Sequence, residues 1–191
     1  MRRIYIVAIG LAIAAGGFAF ALSLYLSEFT DEKCLARNLA WETSALSHAK
    51  VGLAKYRADA EIEAIIHVVL NRVRLGQKAG YANTVCGVIN QHAQFSWTRE
   101  KSLTARPKSK KRWEYMLAAA RRGLSGEFTY PWPKENDCVT NYKRADNKGV
   151  GRRSMRWFYR HQRPIGVWGD HRFYCVKQKP KKVVATRKGS G

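Results

Sequence analysis

The chain has 191 residues and a net charge of +21. That length holds one ordinary domain with a real hydrophobic core and hardly two, and 12% aromatic residues argue against disorder in the central part. The charge says little about fold. It selects polyanionic partners: nucleic acid, anionic lipid or the acidic polymers of a bacterial envelope.

The first element decides among these. Met1-Arg2-Arg3 precedes 24 uncharged residues, Ile4 to Ser27, and Glu28, Asp31 and Glu32 follow. Such a stretch is long enough to span a bilayer as a helix. Arginines before it and acids after it predict a cytoplasmic N-terminus and an exported body. Alanines and glycines between Ala8 and Ala21 dilute its hydrophobicity, so the helix is expected to sit in lipid only marginally. Three fates fit it. The segment is later released from the membrane, resembling the signal-arrest-release segments of bacteriophage endolysins. Otherwise it is a signal peptide cleaved after Ala19-Phe20-Ala21, or a permanent anchor. Release ranks first. Cys34, Cys86, Cys138 and Cys175 are an even number in an exported domain and compatible with two disulfides, with three pairings open. None stands in a C-x-x-C pair, so no metal site is expected.

Residues 28–33 read as an acidic linker. Cys34 to Glu42 starts a helix that Thr30 or Asp31 can cap, with Leu35, Leu39 and Glu42 at helical spacing. The polar stretch Thr43 to Tyr56 is ambiguous. Asp59 to Arg74 predicts the clearest helix: Ile62, Ile65, Ile66, Val69, Leu70 and Val73 form its apolar face, Asp59 its N-cap, and Gly76 stands just beyond its end. Further helices are expected over Asn83–Asn90 and Trp113–Arg122, the latter closed by Gly123. Strands are expected at Cys138–Tyr142, Trp157–Tyr159 and His171–Val176, the last two joined through Pro164, Gly166 and Gly169. After Lys177 the chain is a basic tail without an acid. The pattern is α+β, with helices first and a small antiparallel sheet last, preceded by one N-terminal membrane helix. The domain plan is a membrane segment 1–27, a linker 28–33, one folded domain 34–176 and a tail 177–191.

Cleaving a glycosidic bond needs a carboxylic acid that stays protonated near neutral pH, and burial against apolar groups produces one. Among fourteen Asp and Glu residues the candidates are few. Glu28, Asp31 and Glu32 are linker charges. Glu61 and Glu63 flank the predicted helix start, where acids favour the dipole. Glu100, Glu114, Glu127 and Glu135 lie in basic, polar stretches. Glu42, after Trp41 at the end of an apolar helical turn, differs from all of them, although acids ending helical turns are also common as solvated residues.

Four blocks stand in order: Cys34-Leu-Ala-Arg-Asn-Leu-Ala-Trp-Glu42, His67-Val-Val-Leu-Asn-Arg-Val73, Asn83-Thr-Val-Cys-Gly-Val-Ile-Asn-Gln91 and Gln94-Phe-Ser-Trp97. With Tyr142, Ala145-Asp146, Trp157 and Gly169-Asp-His-Arg-Phe-Tyr174, the succession resembles the SleB-type cell wall hydrolases, a family of spore-cortex-lytic enzymes and phage lysins. The resemblance covers Cys34 to Val176. It implies a lysozyme-like fold and a lytic transglycosylase or muramidase acting on peptidoglycan. It places the catalytic Glu at Glu42 and puts Gln94, Phe95, Ser96, Trp97, Tyr142, His171 and Tyr174 along the sugar groove. Phe95 and Trp97 also suit a core, Asn71 and Arg72 also suit a helix-to-sheet contact, and His171 also suits a structural histidine. The chain departs from the family pattern after Glu42, where an enlarged basic connection from Thr43 to Ala60 replaces the usual Gly and acidic residues. It departs again at Lys143, where a His is usual.

The resemblance favours one acid acting alone, with the sugar's own hydroxyl closing a 1,6-anhydromuramyl product. No cofactor is implied. Asp146 and Asp170 are the late candidates for a partner carboxylate. A phage-type endolysin is the leading expectation, a monomer tied to the bacterial inner membrane and acting in the periplasm or cell wall, with anionic envelope polymers as further partners. A host wall-remodelling enzyme with a cleaved signal is the second. A basic binding protein is the non-enzymatic alternative; Lys108-Ser-Lys-Lys-Arg112 and the tail favour it, but the export signal and the absence of a base-reading motif speak against specific nucleic-acid binding.

Overall fold

The computed structural model describes residues 28–43, 53–92, 94–128, 131–133, 138–145 and 152–176. The uncharged segment Ile4–Ser27, Asp146 and the basic tail lie outside them. Among the described residues no helix is long and apolar enough to cross a membrane.

Four α-helices come first among the described residues: α1 (Asp31–Glu42), α2 (Leu53–Leu75), α3 (Val85–Asn90) and α4 (Lys110–Leu124). A strand β1 (Val139–Arg144), a helix α5 (Arg152–His161) and the strands β2 (Gln162–Trp168) and β3 (His171–Val176) follow. The strands form one antiparallel sheet in the order β1-β3-β2. The α+β expectation therefore holds, with α5 inserted between the first two strands.

Thr30 caps α1 by accepting the Lys33 N–H at 3.3 Å, and Asp31 and Glu32 face the positive end of its dipole. Leu35, Leu39, Ile62, Ile65, Ile66 and Val69 are almost fully buried, joining α1 and α2 in one core with Val88, Ile89, Met116 and Phe173. Two disulfides settle the pairing left open above. Cys34–Cys86 joins α1 to α3, and Cys138–Cys175 joins the start of β1 to β3.

Several boundaries differ from expectation, each for a tertiary reason. The main helix begins at Leu53 and not at Asp59, so Asp59 does not cap it; its carboxylate accepts the Tyr115 hydroxyl of α4 instead. Gly76 does end that helix, at φ +53. Gly123 does not close α4. It lies within the helix where α4 meets α2, and a Cβ there would stand 2.6 Å from Ile66 Cγ2. Trp157–Tyr159 belongs to α5 rather than to a strand, because three alternating residues carry no period that separates the two. The Pro164–Gly166 stretch, expected as a connection, lies within β2. That strand is an edge, where proline is tolerated, and a register shift between Pro164 and Gly166 absorbs it.

Candidate active site

Glu42 is the last residue of α1, with no basic residue in that turn. The position is unfavourable for a carboxylate, which meets the negative end of the helix dipole there. Part of the side chain reaches the surface, yet its carboxyl is enclosed, and burial pushes its pKa up. His171, Tyr142 and Arg72 partly oppose that shift, and Glu61 adds to it. A carboxyl with raised proton affinity on a side chain that reaches the surface is what a general acid requires.

Its neighbours arrive from three elements. Arg72 comes from α2 and is 4% exposed. It donates through Nε to the Thr140 carbonyl at 2.7 Å, while Asn71 donates to the Val139 carbonyl at 3.0 Å. Both acceptors sit where the β1–β3 register shifts, so the helix stitches the irregular start of β1. The guanidinium also lies over Phe95 at 5.0 Å and Tyr81 at 5.6 Å, so the contact to the sheet brings a cation to the site. Burial lowers its pKa, with Tyr142, Tyr81 and Glu42 opposing.

Tyr142 comes from β1. Burial and the Glu42 charge push its phenol well above the ordinary value. Asn38 and Glu42 both bias the hydroxyl, but neither contact closes to a full hydrogen bond: Tyr142 Oη and Asn38 Nδ2 are buried without partners among the described residues. Asn38 itself is oriented by the Trp97 indole, which donates to its Oδ1 at 2.9 Å. A buried polar atom without a partner costs stability and is expected where a ligand supplies the missing bond.

His171 comes from β3, and its ring meets Tyr142 edge-on at 5.0 Å. Its Nδ1 is 2.7 Å from Glu61 Oε1, and the same oxygen accepts the Asp170 backbone N–H at 2.9 Å. Glu61 is fully buried in the middle of α2, and its Oε2 has no partner among the described residues. The expectation of a helix-start acid is therefore corrected, since the helix begins eight residues earlier. Gly169 completes this contact. At φ +55 it presses against the Glu61 side chain, where a Cβ would stand 2.5 Å from the carboxyl carbon. Glu61 carried no local signal. The turn glycine and aspartate before His171 were visible, but not what they turn around.

The remaining residues named from the sequence divide. Phe95 and Trp97 are buried, 3% and 5% exposed, while Gln94 and Ser96 alternate outward. Phe95 reaches the site by its ring, 6.4 Å from Tyr142, and Trp97 reaches it through Asn38. Tyr174 is elsewhere. It follows Phe173, and successive strand residues face opposite sides. Its ring stacks edge-on against Phe158 of α5 at 4.7 Å and beside Tyr159 at 6.0 Å, away from Tyr142 and His171. Asp170 is exposed at the β2–β3 turn. Among the described residues no cluster of His, Cys, Asp and Glu suits a metal ion.

A family model described as Cell Wall Hydrolase matches residues 59–174, or 116 of the 191 residues. The match takes in Glu61, Arg72, Tyr142 and His171 and begins after Glu42. No curated protein and no solved structure matches the chain.

Proposed function

The chain belongs to the cell wall hydrolase family, and from that premise we propose that it cleaves the glycan strands of peptidoglycan with Glu42 as the proton donor. Degradation of peptidoglycan follows from the family; the bond and the residue are inferred from the site. One observation carries the inference. Glu42 combines a partly accessible side chain, a carboxyl with raised proton affinity and three polar neighbours, Tyr142, Arg72 and His171, contributed by separate elements.

Glycosidases that use two carboxylates need the second one facing the sugar. Glu61 is sealed and engaged by His171, and Asp170 is spent on the turn surface. Among the described residues the arrangement supports a single-acid reaction; Asp146 lies outside them. Glu42 gives its proton to the glycosidic oxygen, and the C1–O bond breaks with its electron pair on that oxygen. The muramyl C6 hydroxyl then attacks C1 and returns its proton to Glu42. No water enters, and the product is a 1,6-anhydromuramyl end: a lytic transglycosylase. The half-buried Gln94 and exposed Ser96, with Phe95 beneath them, extend the sugar-binding surface beside Tyr142. Mass spectrometry of murein digested by the purified protein tests this. Anhydromuramyl ends are expected, and reducing muramic ends would refute the transglycosylase reading in favour of a muramidase.

The charge pattern around Ile4–Ser27 supports an exported, membrane-tied enzyme of the endolysin kind, whose basic surface draws it to anionic envelope polymers. Glu42 stands fifteen positions after Ser27, roughly 22 Å if helical. Lysis is expected to stay low while the segment is inserted. A tethered form as active as the free one would contradict this.

A further inference from the structure

Glu61 is the one fully buried carboxylate among the described residues, and the reaction above does not use it. Burying an acid in a helix of isoleucines and valines costs stability unless it is paired. It is paired only on one oxygen: Oε1 meets the Asp170 N–H and His171 Nδ1, and Oε2 has no partner among the described residues. An ionised Glu61 has only acceptors, so Oε1 accepts from the Asp170 N–H and from the ring alike, and Nδ1 carries the proton. The opposite nitrogen, Nε2, is not engaged by Glu61, and the charge of the ring acts on Glu42. A carboxylate that fixes a histidine's tautomer from behind is a known device of proton-transfer and metal sites.

We propose that Glu61 is a positioning residue that holds the His171 imidazole with Nε2 toward Glu42, and that through this ring it governs the proton cycle of Glu42. The inference rests on the proposed role of Glu42 as acid. When Glu42 has given up its proton its carboxylate is charged in an enclosed site, and a ring protonated on both nitrogens, with Glu61 behind it, stabilises that state until the C6 hydroxyl proton returns. The charged or titratable groups around the pair are Glu42 from α1, Arg72 from α2, and Tyr142 and Arg144 from β1, with Arg144 opposite His171 in the ladder and exposed.

The sign of a pH shift separates this from a structural role. A positive His171 favours the charged form of Glu42, while Glu61 by itself disfavours it. Replacing His171 by Gln therefore moves the alkaline limb of the kcat–pH profile to higher pH, because Glu42 keeps its proton longer. If Glu61 acts through the ring, Glu61→Gln moves the limb the same way, kcat falls about tenfold or more with KM little changed, and the double variant matches His171→Gln alone. A limb that moves to lower pH would mean that Glu61 acts on Glu42 directly. An unchanged profile in a folded variant would mean that it is structural. Either result overturns the proposal.

Should Glu61→Gln not fold, nitrogen-15 spectra of His171 in the unsubstituted protein carry the test. Proton occupancy of Nδ1 is expected, and a neutral ring protonated on Nε2 alone overturns it. Glu42→Gln is assayed in parallel on the same murein. If that variant is dead while Glu61→Gln behaves normally, only this inference falls. If Glu42→Gln still lyses murein, the functional reading falls with it.

Discussion

The two faces of the small sheet are built from the same strands and serve different ends. On the inner face Tyr142, Phe173 and His171 pack toward α1 and α2, and two of the three bring polar atoms beside Glu42. On the outer face Tyr174 lies under Phe158 and Tyr159 of α5, with the Lys143 ammonium 3.9 Å from the Phe158 ring centroid. The outer face is aromatic packing around a cation. The inner face gathers a phenol and an imidazole, together with Arg72, around the Glu42 carboxyl. Neighbouring residues of one strand, Phe173 and Tyr174, thus belong to different functions.

Substitutions can break or sharpen that contrast. Glu42→Gln has the largest expected effect, a loss of at least about 10²-fold in kcat on purified murein, since it removes the group that gives one proton and takes back the other. Next is Phe158→Ala on the outer face, expected to cost about 3 kcal/mol of stability by denaturant titration. Its folded fraction should keep kcat within about twofold; a larger fall would mean that the faces are coupled. Tyr142→Phe is expected to lower kcat roughly tenfold while leaving stability equal or higher, because it deletes a buried hydroxyl that lacks a partner in the free enzyme.

A smaller effect is a pH dependence of stability. The proton affinity of Glu42 is raised in the folded chain, so its contribution to stability is present at low pH and declines as pH rises through that elevated pKa. Glu42→Gln removes the charged form and should gain a few degrees in Tm at pH 8 relative to the natural chain, and little at pH 4. A gain equal at both pH values would mean that the carboxyl is solvated. Tyr174→Phe is expected to do least. Its hydroxyl is buried without a partner among the described residues, so stability should change by less than about 1 kcal/mol and kcat not at all. Equal losses for Tyr174→Phe and Tyr142→Phe would abolish the distinction between the faces.

What was legible in the sequence was whatever depends on local period and local chemistry. The apolar face of α2, the Thr30 cap, the turn at Gly76, strand β3 and the exceptional setting of Glu42 all follow from residues within a few positions of each other. The Asn71 and Arg72 contact to the sheet was legible as an option, and the structure adds that Arg72 also reaches the site. Other features were not legible, because their causes lie far along the chain. Glu61 is opposed by His171 across 110 positions, and no local pattern marks an acid as buried when its partner arrives from the last strand. Gly123 is a glycine because Ile66 of another helix needs the space. Tyr174 looked equivalent to His171 within one motif, but the alternation of a strand sends the two to opposite sides once α5 covers the outer face. The sequence by itself marked the first four helices, two of the three strands and their order, and pointed to the acid proposed here. Only the tertiary structure decided which polar groups surround that acid, because burial and charge pairing are properties of what meets in space.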